Sequence, residues 1–287
     1  MRRKRRKEVV DLFYDDYVSP TTYDFLEHTK LTDFNNLDFS DHIGLLRQSP
    51  FHVNAMTFYT PDLNYFEKKP LQTSEEDNDS VKALKKIFEK RKSTRTFGDQ
   101  GMTYQQICDL FKLSYYILED KRRNIASGGG LYPIELFFIS MNVEGMDPGV
   151  YYYNIANESF DTVRKFAQDE DMDAVNHAFF TDNREDIEFG NIGGYIVFGT
   201  YLRRLTLKYQ DRGVRFAMVD SGSIMTNVYL AASALDIGVC ALGGYLDDPL
   251  AELVEIEGRQ EMISNAIVVG PLPEEKSKTP AQQADSY

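Results

Sequence analysis

The chain has 287 residues, with 32 Lys and Arg against 45 Asp and Glu, a formal net charge of −13. Such acidity excludes a general nucleic-acid binder, which needs a basic footprint, and no apolar run approaches the roughly 20 residues of a membrane helix. With 42% hydrophobic and 27% charged residues, the composition is that of an ordinary globular protein.

The first residues, MRRKRRKEVV, form a basic cluster. Glu8, Asp11, Asp15 and Asp16 stand where a secretory signal would carry its apolar stretch, so the cluster reads as a solvated tail or as an arm for an acidic partner. Residues 1–79 are aromatic, acidic and weakly periodic, with short helices expected at DFLEHTKL and SDHIGLL. The polar run LQTSEEDNDS marks a boundary. We expect residues 1–79 to be an extension for packing or for docking a partner or peptide, residues 80–272 the main domain, and residues 273–287 a tail too poor in apolar residues to fold alone.

From Ser80 the periodicity sharpens. SVKALKKIFEKR predicts an amphipathic helix over 80–91, capped by Ser80, with Val81, Leu84, Ile87 and Phe88 on one face. TYQQICDLFKLSYYIL predicts a second helix over 103–118, capped by Thr103, with Ile107, Leu110 and Phe111 inward. IELFFISMN, VYYYNIA and IGGYIVFGTYL read as strands, with EGMDPG as the turn between the first two. Ser221, Ile224, Val228, Ala231 and Leu235 recur at helical spacing, so a buried central helix is expected there, with Gly238 as its C-cap. VCALGGY and ISNAIVVG are further strands, and PLAELVEI is a short helix with Pro249 in its first turn. Strands interleaved with helices and one hairpin indicate an α+β fold, a sheet flanked by helices.

Three stretches carry chemistry. In RKSTRTF, Arg91, Ser93 and Arg95 alternate; in extended backbone they face one way and suit a phosphate, although a basic helix end complementing the dipole accounts for them too. ASGGGLYP places Ser127, Gly128 and Gly129 before a strand, either as a hinge or as a loop whose amides approach a flat heterocycle. Gly243 and Gly244 follow a buried strand, either as a tight turn or as room for a ring system. LKYQDRGVR puts Lys208 beside Tyr209 at a helix entrance, with Arg203, Arg204, Arg212 and Arg215 close in sequence. The four histidines lack metal-ligand spacing, and Cys108 and Cys240 read as buried thiols of a reducing cytoplasm, so neither a metal site nor a disulfide is expected. No G-x-G-x-x-G follows a strand, and no P-loop, G-x-S-x-G or H-E-x-x-H occurs.

Taken in order, RKSTRTF, SGGGLYPIELF, GVYYYN, KYQDRGVRFAMVDSGSIMTNVYLAASALDIGVCALGGY and NAIVVG resemble the SagB/McbC-type azoline dehydrogenases, a branch of the flavin-dependent nitroreductase-like family. The resemblance runs from about residue 84 to 270. It implies a homodimeric nitroreductase-like fold with a mostly antiparallel sheet and FMN at the dimer interface. It further implies oxidation of thiazoline or oxazoline rings of a ribosomally made precursor peptide to thiazoles or oxazoles, beside YcaO-type and E1-like cyclodehydratase subunits, in the cytoplasm. Arg91, Ser93 and Arg95 would then hold the FMN phosphate and ribityl chain. Ser127, Gly128, Gly129, Gly243 and Gly244 would lie near the flavin, and Lys208 and Tyr209 would form the family's Lys-Tyr pair. The chain departs from many relatives in having no basic residue after the last strand until Lys276. A generic NAD(P)H-dependent nitroreductase and a non-catalytic scaffold subunit are the competing readings.

Overall fold

The computed structural model describes residues 18–51, 56, 69–72, 77–167, 169–180, 187–189, 191–256 and 260–273. Its centre is a six-stranded, fully antiparallel sheet in the order β5-β4-β2-β6-β8-β7. The strands are β2 (Ile134–Ser140), β4 (Gly149–Asn154), β5 (Ser159–Lys165), β6 (Gly194–Tyr201), β7 (Ile237–Leu242) and β8 (Glu261–Pro271). Two short parallel strands, β1 (Met102–Thr103) and β3 (Val143–Glu144), pair beside it.

Alternation along the strands feeds two cores. Ile134, Leu136 and Phe138 of β2 face α4 (Tyr104–Ser114) and α7 (Arg212–Leu235). Phe137 and Ile139 face α5 (Asp169–Phe179) and α8 (Asp247–Leu253). Because both faces are covered, β2 is buried at all seven positions, which is why IELFFIS is apolar almost throughout rather than alternating. Phe111 anchors one core, edge-on to Phe138, Tyr153 and Phe160 at 5.8, 5.1 and 4.9 Å.

Thr103 caps α4 with a full capping box through Gln106, but the helix stops at Ser114, earlier than the periodicity predicts. The helix α3 (Asp79–Lys90) is capped by Asn78, two residues before the expected Ser80, because the Asn78 side chain accepts from the Val81 amide. The central helix begins at Arg212, well before Ser221, and Asp236 in left-handed conformation (φ 57°) ends it; Gly238 lies inside β7 instead. There a Cβ would press within 3.0 Å of Thr94, so the glycine serves close packing, not a cap. Cys240 is buried but Cys108 is only half-buried, and neither forms a disulfide.

The helices α1 (Pro20–His28) and α2 (Asn36–Arg47) fall where the short helices are expected. Residues 18–31 pack on the body. Leu26 is buried against Leu202, Leu205, Val214 and Ala217; the Ser19 amide donates to Asp211 at 2.7 Å; and Leu31 exchanges backbone contacts with Asp247, its amide donating to the Asp247 carboxylate at 2.8 Å. The basic cluster and the C-terminal tail lie outside the described residues.

Burial lifts the Asp247 pKa to about 6, against the opposing effects of the Leu31 amide and of Lys30. The folded chain thus holds this proton more tightly than the unfolded chain. Its contribution to stability is complete below about pH 4 and is lost as the pH rises through about 6. We expect Asp247→Asn to raise the melting midpoint relative to the unmodified chain at pH 7.5 and to leave it little changed at pH 4. Thermal unfolding at the two pH values is the check; an equal difference at both would reject the assignment.

Candidate functional site

The RKSTRTF segment leaves α3 at Arg91, whose backbone is already extended (φ −61°, ψ 118°). It then runs beside β7, where the Thr94 amide donates to the Val239 carbonyl at 2.8 Å. Thr94 and Phe97 are buried, whereas Arg91 and Arg95 are exposed and Ser93 is half-buried. Phe97 lies flat on the sheet because Gly270 leaves room: a Cβ there would come within 2.6 Å of its ring. The Ser93 hydroxyl lies 3.0 Å from the Tyr229 hydroxyl, which accepts from the Ala241 amide at 2.8 Å. The Arg91 guanidinium sits 5.8 Å from the centre of the Tyr229 ring.

The second group surrounds the glycine loop. Gly128–Gly130 forms one tight turn in which Gly129 has φ +68°. A Cβ on Gly129 would lie 2.5 Å from the Tyr209 hydroxyl oxygen and 2.8 Å from Lys208 Nζ. Both the left-handed backbone and the space therefore demand glycine at this position. Lys208 and Tyr209 end α6 (Arg203–Tyr209), and Lys208 Nζ sits 5.2 Å from the Tyr209 ring centre. The Tyr209 ring is held edge-on by Phe216 at 4.9 Å. Ser127 accepts the Tyr132 amide at 2.9 Å, and the Ser127 hydroxyl and Gly128 amide bond to the Asp220 carboxylate of α7. Asp220 is 1% exposed, and burial pushes its carboxyl above the usual range against the pull of those two hydrogen bonds.

Both groups hang on α7. Phe216 serves the glycine loop and Tyr229 serves the arginine segment; thirteen residues of helix separate them, about 20 Å of axial rise. Within one chain, then, Lys208, Tyr209, Ser127, Gly128 and Gly129 come together, whereas Arg91 and Ser93 meet Tyr229 elsewhere along the same helix and the Arg95 carbonyl pairs with the Glu188 amide. Gly243 and Gly244 follow β7; Gly243 is exposed and faces open space where a side chain would be, and Gly244 is buried.

Tyr229 and Asp220 were not legible as site residues. Tyr229 falls on the apolar helical stripe and reads as core. Asp220 does leave a signal, since it is a carboxylate on the stripe that carries Ala217, Ser221 and Ile224.

The nitroreductase family model matches residues 88–270. The chain belongs to the nitroreductase family. MJ1384 of Methanocaldococcus jannaschii, a nitroreductase by assignment, is 25% identical over 175 residues, covering 61% of this chain and 85% of that protein. The microcin B17-processing protein McbC of Escherichia coli is 27% identical over 142 residues, covering 48% of this chain and 50% of McbC. A chain of the E. coli microcin synthetase McbBCD complex with truncated pro-MccB17 bound matches at TM-score 0.66 and 18% identity, covering 94% of this chain and 99% of that one. A second solved structure, of an assigned nitroreductase from Anabaena variabilis, matches at TM-score 0.56 and 21% identity, covering 68% of this chain and 39% of the other. At such identities the structural matches speak to fold: a nitroreductase-like, antiparallel sheet flanked by helices.

Proposed function

We propose that this nitroreductase-family chain is an FMN-dependent azoline dehydrogenase that oxidises thiazoline or oxazoline rings in a precursor peptide. The observation that carries the reading is the meeting of Lys208 Nζ and the Tyr209 hydroxyl at Gly129, on a loop whose glycines let a ring approach the backbone. The sequence relation to McbC, named for microcin B17 processing, and the match to a chain of the McbBCD synthetase support the substrate class. They also support cyclodehydratase subunits and a precursor peptide as partners.

The residues present suit FMN. Two exposed guanidiniums flank the Ser93 hydroxyl, a donor set matched to a phosphate. Gly243 leaves open space beyond β7, and Gly130 leaves open space in the glycine loop. A homodimer would unite what one chain keeps about 20 Å apart: the arginine segment of one copy with the glycine loop of the other. Support comes from apolar surface that the described residues leave uncovered. Val81, Leu84 and Phe88 on α3 are 36%, 47% and 51% exposed, and Met218 and Val219 on α7 are exposed as well.

Bound FMN would supply a hydride acceptor for the ring carbon next to Cα. The chain's own task is the proton. Lys208, as general base, removes it from Cα, within hydrogen-bond reach of the azoline ring. Tyr209, fixed by Phe216, orients that ring or shares the proton. Loss of one proton and one hydride converts azoline to azole.

The visible spectrum of the purified protein, recorded anaerobically with and without an azoline-bearing peptide, tests the reading. We expect a flavin spectrum that bleaches on addition of the peptide. Bleaching by NAD(P)H alone would instead favour a generic nitroreductase, and absence of flavin would favour a scaffold. Arg91→Ala and Arg95→Ala should each weaken flavin retention by about tenfold or more, because a hydrogen bond to a charged group is worth about 1.5–3 kcal/mol. The flavin-to-protein absorbance ratio after gel filtration is the check, and full retention by both variants would remove the arginines from the site.

A further inference from the structure

The mechanism leaves unused a charge cluster around the buried Glu135, made with the half-buried Arg123 and the exposed Arg204. Glu135 is the one carboxylate in β2 and is 5% exposed. Its Oε1 accepts from Arg204 and lies 3.6 Å from Arg123; its Oε2 accepts the Tyr152 hydroxyl at 3.1 Å. Arg123 reaches on to the Tyr115 hydroxyl and to the Ile134 carbonyl, the latter at 3.3 Å. Packing alone gives no reason for this set: apolar residues of like volume generally stabilise such a position as well or better than an ion pair. A geometric role does give a reason.

The Nη1 atom that meets Glu135 also donates to the Tyr132 carbonyl at 2.7 Å. Tyr132 closes the glycine loop, is itself in left-handed backbone (φ 44°), and returns its amide to Ser127. Arg204 stands in the first turn of α6, and Lys208 follows four residues later on the same helix face. One guanidinium thus ties the end of the loop, the start of β2 and the helix that presents the Lys-Tyr pair. A second tie runs parallel to it, the Tyr201 amide donating to the Pro133 carbonyl at 2.8 Å.

We propose that Arg204 is a positioning residue: bridged between Glu135 and the Tyr132 carbonyl, it sets the rotation and height of α6 so that Lys208 and Tyr209 meet Gly129. Its catalytic consequence rests on the dehydrogenase reading; the positioning itself does not. Both bonds run through the one Nη1 atom, at the end of a stem that a lysine is too short to match, so a lysine ammonium does not hold carboxylate and carbonyl together at this position. Arg123 stays near Glu135 when Arg204 is removed, so the buried carboxylate keeps a cation and the fold survives.

The test compares Arg204→Lys and Arg204→Ala with the unmodified chain as purified, by amide hydrogen exchange, thermal unfolding and turnover of an azoline peptide. We expect exchange to quicken about tenfold or more over residues 127–132 and 205–210 while β4, β6 and β8 keep their protection. We expect kcat to fall about 10- to 100-fold with KM nearly unchanged, as displacement of a reacting group predicts, and Arg204→Lys to recover the melting midpoint without the rate. Unchanged exchange at both segments in Arg204→Ala would overturn the proposal, as would full kcat in Arg204→Lys or faster exchange spread across the sheet. If the unmodified chain turned over no azoline peptide, the dehydrogenase reading would fail, yet the exchange pattern would still decide the clamp.

Discussion

Lys208→Ala should lower azoline dehydrogenation by about 10²- to 10⁴-fold, the usual contribution of a positioned general base, while the protein keeps its flavin. The expectation follows from where the amine sits. Lys208 Nζ lies where a side chain on Gly129 would stand and beside the Tyr209 ring. The arginine segment, on which flavin retention is proposed to rest, lies about 20 Å along α7. Loss of the amine should therefore separate chemistry from cofactor binding. Turnover under saturating peptide, with the absorbance ratio recorded on the same sample, is the measurement. Activity within a few-fold of the unmodified chain would end the assignment of Lys208. Tyr209→Phe then divides the pair. The ring, its edge contact with Phe216 and its cover of the loop remain, and only the hydroxyl is lost. A drop as deep as that of Lys208→Ala would make the phenol the proton acceptor; a shallow one leaves Tyr209 to orient the ring.

Gly129→Ala should be nearly as damaging, although it removes no functional group. The new methyl carbon would stand 2.5 Å from the Tyr209 hydroxyl oxygen and 2.8 Å from Lys208 Nζ, distances at which atoms must move. The left-handed backbone (φ +68°) adds a cost of about 1–2 kcal/mol for any residue with a Cβ. Both side chains are flexible enough to retreat, so the chain should fold with a modest loss of melting temperature. What cannot survive is their placement, and a displacement of about 1 Å can cost about 10²-fold in rate. Gly130→Ala is the informative control. Gly130 shares the left-handed backbone (φ +67°), but no atom stands near its missing Cβ. It should show the backbone cost in thermal unfolding with a much smaller loss of turnover. Equal losses of kcat in the two variants would mean that loop strain, and not contact with the Lys-Tyr pair, governs the rate.

Much of this protein is set locally and can be read locally. The stripe of Ile224, Val228, Ala231 and Ala232 announces the buried helix because one face of a helix repeats every three to four residues. Thr103 and Gln106 announce the start of α4 because a capping box lies within one turn. The apolar run of β2, broken only by Glu135 before its last residue, announces a strand. The end of α3 at Arg91, where the backbone turns extended, lies where the amphipathic stripe of that helix runs out.

Other features depend on partners far along the chain. The strand Ser159–Lys165 and the helix Asp169–Phe179 escape sequence reading because their sequences are polar; β5 lies at the edge of the sheet and is mostly solvated, so pairing with β4 rather than its own pattern makes it a strand. Gly238 looks like a helix terminator, yet Asp236 takes that place because Thr94 and Phe97 press on the strand that follows. Glu135 looks like an interruption of a strand until Arg204 and Arg123 arrive to pair with it. By itself the sequence determined the strongly periodic elements and the core stripes. Only the tertiary structure decided that Lys208 and Tyr209 meet Gly129, and that Arg91 and Ser93 meet Tyr229 instead. The reason is physical: helical and strand periodicities act over a few residues, whereas contact between distant segments is settled by how two cores pack on opposite faces of one sheet.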